Sequence, residues 1–300
     1  MNIDYRTLNH SKFLLIYHSK KRQSILKSKV KCGNSSPELK TQGFFCHQFY
    51  KNMIYKTILI LGLLIFSFST LSNFAKEIFK KPDLKKFQVI STIADPTKQK
   101  IIFFWKDAKG KNYSNFKNLK AKIESDGQNL IFATNGGIYN KNFQPKGLYI
   151  ENARVLSPID RIKEGYGNFY LSPNGIFYLK NNGKADITIT EKFKDYKNIK
   201  YATQSGPMLV INGKIHPKFK KGSKYTNIRN GVGILPNGNI LFAMSKEKVT
   251  LFDFALYFKK QHCQNALYLD GFISKTYLPS KKWEQMEGNF VVIIGIIESY

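Results

Sequence analysis

Residues 229–245 read Arg-Asn-Gly-Val-Gly-Ile-Leu-Pro-Asn-Gly-Asn-Ile-Leu-Phe-Ala-Met-Ser. Two apolar runs, Gly231–Leu235 and Asn239–Met244, flank Pro236-Asn237-Gly238. Asn-Gly supplies the positive φ values that tight hairpins need, so the stretch predicts an antiparallel pair. The pattern recurs three times. Gly147–Ile150 and Ala153–Leu156 flank Glu151-Asn152, Phe169–Leu171 and Ile176–Leu179 flank Ser172-Pro173-Asn174-Gly175, and Met208–Ile211 and Lys214–His216 flank Asn212-Gly213. Four hairpins in one region argue for a largely antiparallel sheet.

Outward from these hairpins, 87–94 (FQVISTIA) and 99–105 (QKIIFFW) read as paired strands around Asp95-Pro96. Residues 128–134 (QNLIFAT) form an apolar strand that stops at Asn135-Gly136-Gly137, and Ala266–Leu269 form one that ends at Asp270-Gly271. Val291–Ile297 is a closing strand. A helix over 114–125 has Ser114 as its cap and Phe116, Leu119 and Ile123 on one face. A second, Leu251–Lys260, has Thr250 at the N-cap and Asp253 three residues on, a capping-box pattern. No internal repeat or long linker follows residue 76. The expected class is α+β: a single domain with a mixed, largely antiparallel sheet and packed helices, preceded by a signal peptide or membrane anchor.

The chain has 300 residues, 42% of them hydrophobic and 23% charged, which suits a packed core and argues against global disorder. Its three cysteines, Cys32, Cys46 and Cys263, exclude a disulfide scaffold and a four-cysteine zinc ribbon. From Thr57 to Leu71 no residue is charged. That run is short of the roughly 20 residues a bilayer span requires and suits the apolar region of a signal peptide. Met53 precedes it directly and Lys56 supplies a basic leader, with cleavage expected after Ser72 or Ala75. Residues 1–52 then read as an upstream translation outside the working protein, 53–75 as signal peptide or signal anchor, and 76–300 as the exported domain. The alternative keeps the first segment as a basic cytoplasmic tail, with 54–74 anchoring the chain in the membrane. Formal net charge is +28, and after removal of the first 56 residues it is still +19. Such a balance favours an anionic polymer or ester, an anionic membrane face or nucleic acid. The basic residues are scattered and the domain is read as exported, so nucleic acid is excluded as a partner.

Polar residues gather where apolar strands break into glycine. The first break is Thr134-Asn135-Gly136-Gly137, whose backbone can approach a ligand and expose N–H groups; the competing reading is a plain turn. The second is Gln204-Ser205-Gly206-Pro207, placed to orient a hydroxyl-rich ligand; G-x-S-x-G is absent, so it is no nucleophile elbow. The third is Arg229-Asn230-Gly231-Val232-Gly233, where the arginine fork matches phosphate oxygens and the rival is a surface arginine. An arginine at such a strand mouth is expected to lie outside the core. The fourth is Leu269-Asp270-Gly271-Phe272-Ile273-Ser274, whose acid reads as a ligand, a base or a turn cap. Beyond the apolar run only His216 and His262 remain, which excludes a multi-histidine zinc site; H-E-x-x-H, G-x-x-x-x-G-K-[ST] and G-x-G-x-x-G are absent.

Five stretches in this order resemble the phosphodiester glycosidase family, nearest its bacterial branch: ATNGGIYNKNFQPKGLYI (133–150), GNFYLSPNGIFYL (167–179), ATQSGPMLVINGKIHP (202–217), RNGVGILPNGNILFAMS (229–245) and NALYLDGFISKTY (265–277). The resemblance covers about residues 87–297. Phe272 departs from it, since a glycine or small residue often follows Asp-Gly in the family. The resemblance implies hydrolysis of a sugar 1-phosphodiester at the anomeric carbon. An ordinary glycosidase needs a second carboxyl to protonate its alkoxide leaving group, whereas a phosphate monoester already leaves well. The implied catalytic residues are Asp270, as base or nucleophile, and Asn135. Gly136, Gly137, Gln204, Ser205, Gly206, Arg229 and Ser274 are the implied substrate-binding residues, with Arg229 and the glycine amides on phosphate. No cofactor is implied with certainty; a divalent metal at Asp270 stays open. The implied partner is an anionic glycan or sugar phosphodiester, with the membrane as a further one if the apolar segment is uncleaved. The rival function is a non-catalytic binder of anionic cell-envelope polymer.

Overall fold

The computed structural model describes residues 53–62, 87–194, 196–269 and 273–299. The chain divides into two units, Met1–Leu84 and Lys85–Tyr300. Of the first, residues 53–62 form a helix with exposed side chains. Among the described residues no helix is long and apolar enough to cross a membrane. The remainder of the apolar run, and both expected cleavage positions, lie outside the described residues.

Among the described residues the second unit has sixteen strands and two α-helices. In chain order they are β1 (Val89–Ala94), β2 (Lys100–Phe104), α1 (Phe116–Ser125), β3 (Gln128–Asn135), β4 (Tyr149–Glu151), β5 (Arg154–Ser157), β6 (Gly175–Lys180), β7 (Ala185–Ile189) and β8 (Ile199–Ser205). There follow β9 (Met208–Ile211), β10 (Lys214–Ile215), β11 (Asn230–Ile234), β12 (Ile240–Ser245), α2 (Leu251–Lys260), β13 (Asn265–Tyr268), β14 (Thr276–Leu278), β15 (Trp283–Glu284) and β16 (Ile293–Ser299). They form three sheets, ordered β1-β12-β11-β13-β9-β10, β15-β14-β3-β16-β2 and β5-β4-β8-β6-β7. The α+β class holds; the expected single sheet is divided into three, and the ladders among the described residues are antiparallel.

Three of the four hairpins form, the first with its turn one residue later than expected, at Asn152-Ala153 with Glu151 paired to Arg154. Asn152 and Ala153, and Asn212 and Gly213, adopt the positive φ that their two-residue turns require. The hairpin around Ser172–Gly175 does not form, because residues 168–170 are a 3-10 turn and β6 pairs instead with β7 and β8. The expected pairing of β1 with β2 also fails. Asp95 caps the turn between them through Oδ1, 2.9 Å from Thr97 N, and the chain crosses there from the first sheet (β1 on β12) to the second (β2 on β16). Helix α1 is capped by Asn115, whose side chain accepts from Asn118 N, and not by Ser114, which sits at φ 66°. Helix α2 keeps its expected cap, with Asp253 N donating to Thr250 Oγ1 at 3.0 Å.

The three sheets meet in one core of contacting aromatic rings. Phe242 of the first sheet lies 5.0 Å from Phe132 of the second and 6.0 Å from Phe177 of the third. Phe103 of the second contacts both Phe177 and Tyr201 of the third. Helix α2 covers the outer face of the first sheet with Phe254, Ala255 and Phe258, and α1 covers the second with Phe116, Leu119 and Ile123. Sheets covered on both faces carry near-continuous apolar strands, which is why β12 is buried along its whole length.

Candidate functional site

The ends of β3, β8, β11 and β13 converge on one another, and with them the four glycine-flanked breaks. The hub is Asn230, which is fully buried. Its Nδ2 donates toward Asn135 O (2.9 Å), Asn135 Oδ1 (3.1 Å) and Thr134 Oγ1 (3.0 Å). Its Oδ1 accepts from Ser274 Oγ at 3.2 Å, and its backbone oxygen accepts from Leu269 N at 3.2 Å. Asn230 therefore clasps both shoulders of the segment that carries Asp270. Asn135 holds the second shoulder as well, since its Oδ1 accepts from Lys275 N at 2.9 Å, and Thr134 Oγ1 donates to Lys275 O at 3.1 Å. Next to this, Tyr268 N donates to Pro207 O at 3.0 Å, which brings the second break against the fourth. Asp270, Gly271 and Phe272 themselves lie outside the described residues.

Asn135 and Ser274, both implied site residues, lie in one cluster, which Asn230, Thr134 and Lys275 complete. Strand periodicity is the signal that could have found Asn230: neighbours on a strand project to opposite faces. Asn230 faces the second sheet, whereas Arg229 turns the other way, toward α2.

Arg229 is a correction. It is 2% exposed, with Nε donating to Val249 O (2.8 Å), Nη1 to Tyr268 Oη (3.0 Å) and Nη2 to Tyr225 O (3.3 Å). Three donors of its fork are engaged inside the protein, and the arginine belongs to the core. Gly231 and Gly233 beside it answer packing demands from β13 and from α2 with the residues that follow it. A Cβ at 231 would lie 2.9 Å from Leu267 O, and one at 233 would lie 2.6 Å from Cys263 Sγ and 2.8 Å from the Phe258 ring.

Gln204 is a second correction. It is 1% exposed, and its amide is saturated: Oε1 accepts from Leu148 N and Asp160 N, both at 2.9 Å, while Nε2 donates to Asp160 O (2.6 Å) and Thr190 Oγ1 (3.2 Å). A carboxamide with both donors and both lone pairs engaged has no valence left for a sugar hydroxyl. It latches the 148 and 160 segments onto β8. The Gly136-Gly137 nest is a third. Gly136 N donates to Val292 O at 2.7 Å, and a Cβ there would lie 2.5 Å from Val292 Cγ1. At Gly137 a Cβ would collide with Thr203 and Gln204. These glycines serve close chain packing. Gly206 does likewise against Asn174, 2.6 Å from its would-be Cβ. Ser205 is fully buried, and its Oγ has no hydrogen-bond partner among the described residues.

Two buried groups packed on the first sheet have shifted pKa values. His216 is 1% exposed, stacked on Phe219, and accepts from Lys218 N through Nδ1; burial lowers its pKa to about 4. The Cys263 thiol is pushed up to about 12 by burial, so it is inert. Among the described residues no group of three or more His, Cys, Asp or Glu is placed to hold a metal ion. The Asn135–Asn230–Ser274 cluster has no described carboxylate, and Asn135 Oδ1 already accepts two N–H groups. Hard divalent cations take several oxygen ligands with carboxylates among them, and the carboxylate that the sequence offers beside this cluster, Asp270, lies outside the described residues.

Comparison with known proteins bears on the same region. A family described as phosphodiester glycosidase matches residues 128–291. YigE of Escherichia coli (strain K12), called an uncharacterized protein, is 37% identical over 203 residues, covering 67% of this chain and 79% of its own. Among solved structures, the catalytic domain of zebrafish N-acetylglucosamine-1-phosphodiester alpha-N-acetylglucosaminidase, auto-inhibited by its pro-peptide, superposes with a TM-score of 0.49 at 14% identity over 71% of this chain and 84% of that one. A hypothetical protein from Synechocystis gives 0.48 at 14% identity over 70% and 59%.

Proposed function

The chain belongs to the phosphodiester glycosidase family, and on that premise we propose that it is an exported hydrolase cleaving a sugar 1-phosphodiester, acting on cell-envelope or exopolysaccharide glycans. The observation that carries the proposal is the Asn230 clasp, which ties Leu269 and Ser274 to one side chain. A segment anchored at both shoulders is suited to hold a reacting carboxylate at fixed height above its neighbours. The carboxylate proposed there is Asp270.

In this reading a water oxygen bonds to the anomeric carbon while the bond from that carbon to the phosphate oxygen breaks. Asp270 takes the water proton, or first forms the carbon–oxygen bond itself and is then released by water. The electron pair leaves on the phosphate monoester, which needs no acid to depart. Asn135 and Ser274 flank the sugar. Lys275, whose backbone is held by Asn135, is the cation we assign to the phosphate, a role Arg229 is too deeply engaged to fill. The net charge of +19 beyond residue 56 draws an anionic substrate inward.

The test is hydrolysis of an N-acetylglucosamine 1-phosphodiester in ¹⁸O-water. Equal amounts of free sugar and phosphate monoester are expected, with the label in the sugar. Label in the phosphate would mean phosphorus–oxygen cleavage and would refute the reaction. The basicity alone also favours a non-catalytic binder of anionic envelope polymer; retention of the diester without turnover would select it.

A further inference from the structure

A lysine-walled hollow at the far end of β6 plays no part in the reaction proposed above. A cavity of about 640 Å³ opens there, beside the β6–β7 turn and the segment that follows β7. Its walls carry Lys180, Lys192, Lys194 and Lys197, with Asn181 and Asn198 between them. A second cavity of about 130 Å³ shares Lys180 and Asn181 with the first and adds Lys100 and Lys200, so the hollow continues as a basic groove. Among the described residues none of Lys180, Lys192 and Lys194 is in an ion pair. The Asp186 carboxylate is engaged by Tyr178 Oη (3.1 Å) and Ile187 N (2.7 Å). Asp195, which follows Lys194 in the chain, lies outside the described residues.

The groove is separate from the Asn230 cluster. Strand β6 runs from Gly175, opposite Ser205, to Lys180, opposite Ile199. Five residue steps put the lysines about 17 Å along the strand from Ser205. An ammonium is a point charge with rotatable donors, so a row of them accepts carboxylates or phosphates at variable spacing. Carboxamides between them donate and accept, which suits hydroxyls. The rings of Tyr178 and Phe193 at its base are 9% and 4% exposed and pack on each other at 5.5 Å. They offer no stacking platform for the bases of a single-stranded nucleic acid.

We propose that this groove is a second binding site, whose ligand is a polyanionic glycan: a sugar chain with repeated carboxylate or phosphodiester groups. It needs no turnover, so it stands or falls apart from the reaction above.

The full chain, kept in detergent, is footprinted by acetylation of its lysines with and without polygalacturonate and read by mass spectrometry. Because each lysine is read separately, binding by the basic first 56 residues does not enter. At ten times its half-saturating concentration, polygalacturonate should slow acetylation of Lys180, Lys192 and Lys194 about 10-fold. Lys214, Lys259 and Lys260, exposed on the first sheet and α2, should change less than about twofold, and neutral dextran should protect none. The triple variant Lys180→Gln, Lys192→Gln, Lys194→Gln should raise the half-saturating concentration read at Lys197 about 10-fold. The equally charged triple at 214, 259 and 260 should leave it unchanged. Uniform protection of all six lysines, or equal loss in both triples, would overturn the site. Oligothymidylate protecting the groove as strongly as polygalacturonate at equal charge would overturn the glycan assignment.

Discussion

Asn230 Nδ2 lies 3.1 Å from Asn135 Oδ1, a buried polar bond between two sheets that share no ladder. The same amide also donates to Thr134 Oγ1 and Asn135 O, and away from it the two sheets meet mainly through apolar side chains such as Phe132 on Phe242. A single carboxamide therefore sets how the end of β3 meets the start of β11, and with it the position of both shoulders of the Asp270 segment.

Asn230→Ala removes that carboxamide and its buried hydrogen bonds to Asn135, Thr134 and Ser274, although Asn135 Oδ1 keeps Lys275 N and Ser274 Oγ keeps Ile228 O. Each lost bond costs about 0.5–1.5 kcal/mol, so urea unfolding should show a loss of roughly 2–4 kcal/mol, together with a fall in turnover per folded molecule. Stability within about 0.5 kcal/mol of wild type would show that the network does not hold the sheets.

Arg229→Lys keeps the charge and loses two of the three buried contacts. Stability should drop by about 1–3 kcal/mol, which for a unit of this size lowers Tm by roughly 2–10 °C. An unchanged Tm with activity down 10-fold or more, about 1.4 kcal/mol, would restore the arginine as a phosphate clamp.

Gln204→Leu should lower Tm, since Leu148 N, Asp160 N and Asp160 O lose their partner together. Substrate affinity of the remaining folded protein should not move, because the amide does not reach solvent. A raised KM at unchanged Tm would return Gln204 to the sugar site.

The elements that were legible from sequence are those whose cause is local. Thr250 with Asp253 fixes the start of α2, and Asn212-Gly213 fixes a turn, through atoms a few residues apart. What failed is non-local. Lys100–Phe104 look like the partner of Val89–Ala94, but β16 and β12 are better partners and lie some 150–190 residues further on in sequence. Gly136 and Gly137 look like a ligand nest, and the reason for them is Val292, Thr203 and Gln204. Arg229 and Asn230 are adjacent, and only the placement of α2 and the second sheet decides which one faces the cluster. Ser205 offers a hydroxyl, and its burial without a hydrogen-bond partner among the described residues has no signature in the sequence.

His216 gives the fold a pH dependence. Its pKa is lowered to about 4 in the folded chain, against about 6.5 unfolded, so between these values the unfolded state binds the proton and the folded state does not. Stability is therefore full above about pH 6.5 and falls as pH drops toward 4. His216→Gln should flatten the slope of unfolding free energy in that window; an unaltered slope would mean the histidine does not titrate with folding.

Asp270→Asn is the most direct test of the account, since it keeps size and hydrogen bonding and removes charge and basicity. Turnover of an N-acetylglucosamine 1-phosphodiester and the melting temperature are measured on the same purified variant. A base or nucleophile contributes on the order of 10²–10⁴ in rate. The account predicts a fall in kcat of at least about 100-fold with Tm nearly unchanged. Near-normal turnover per folded molecule with a lowered Tm would contradict it and make Asp270 a turn residue.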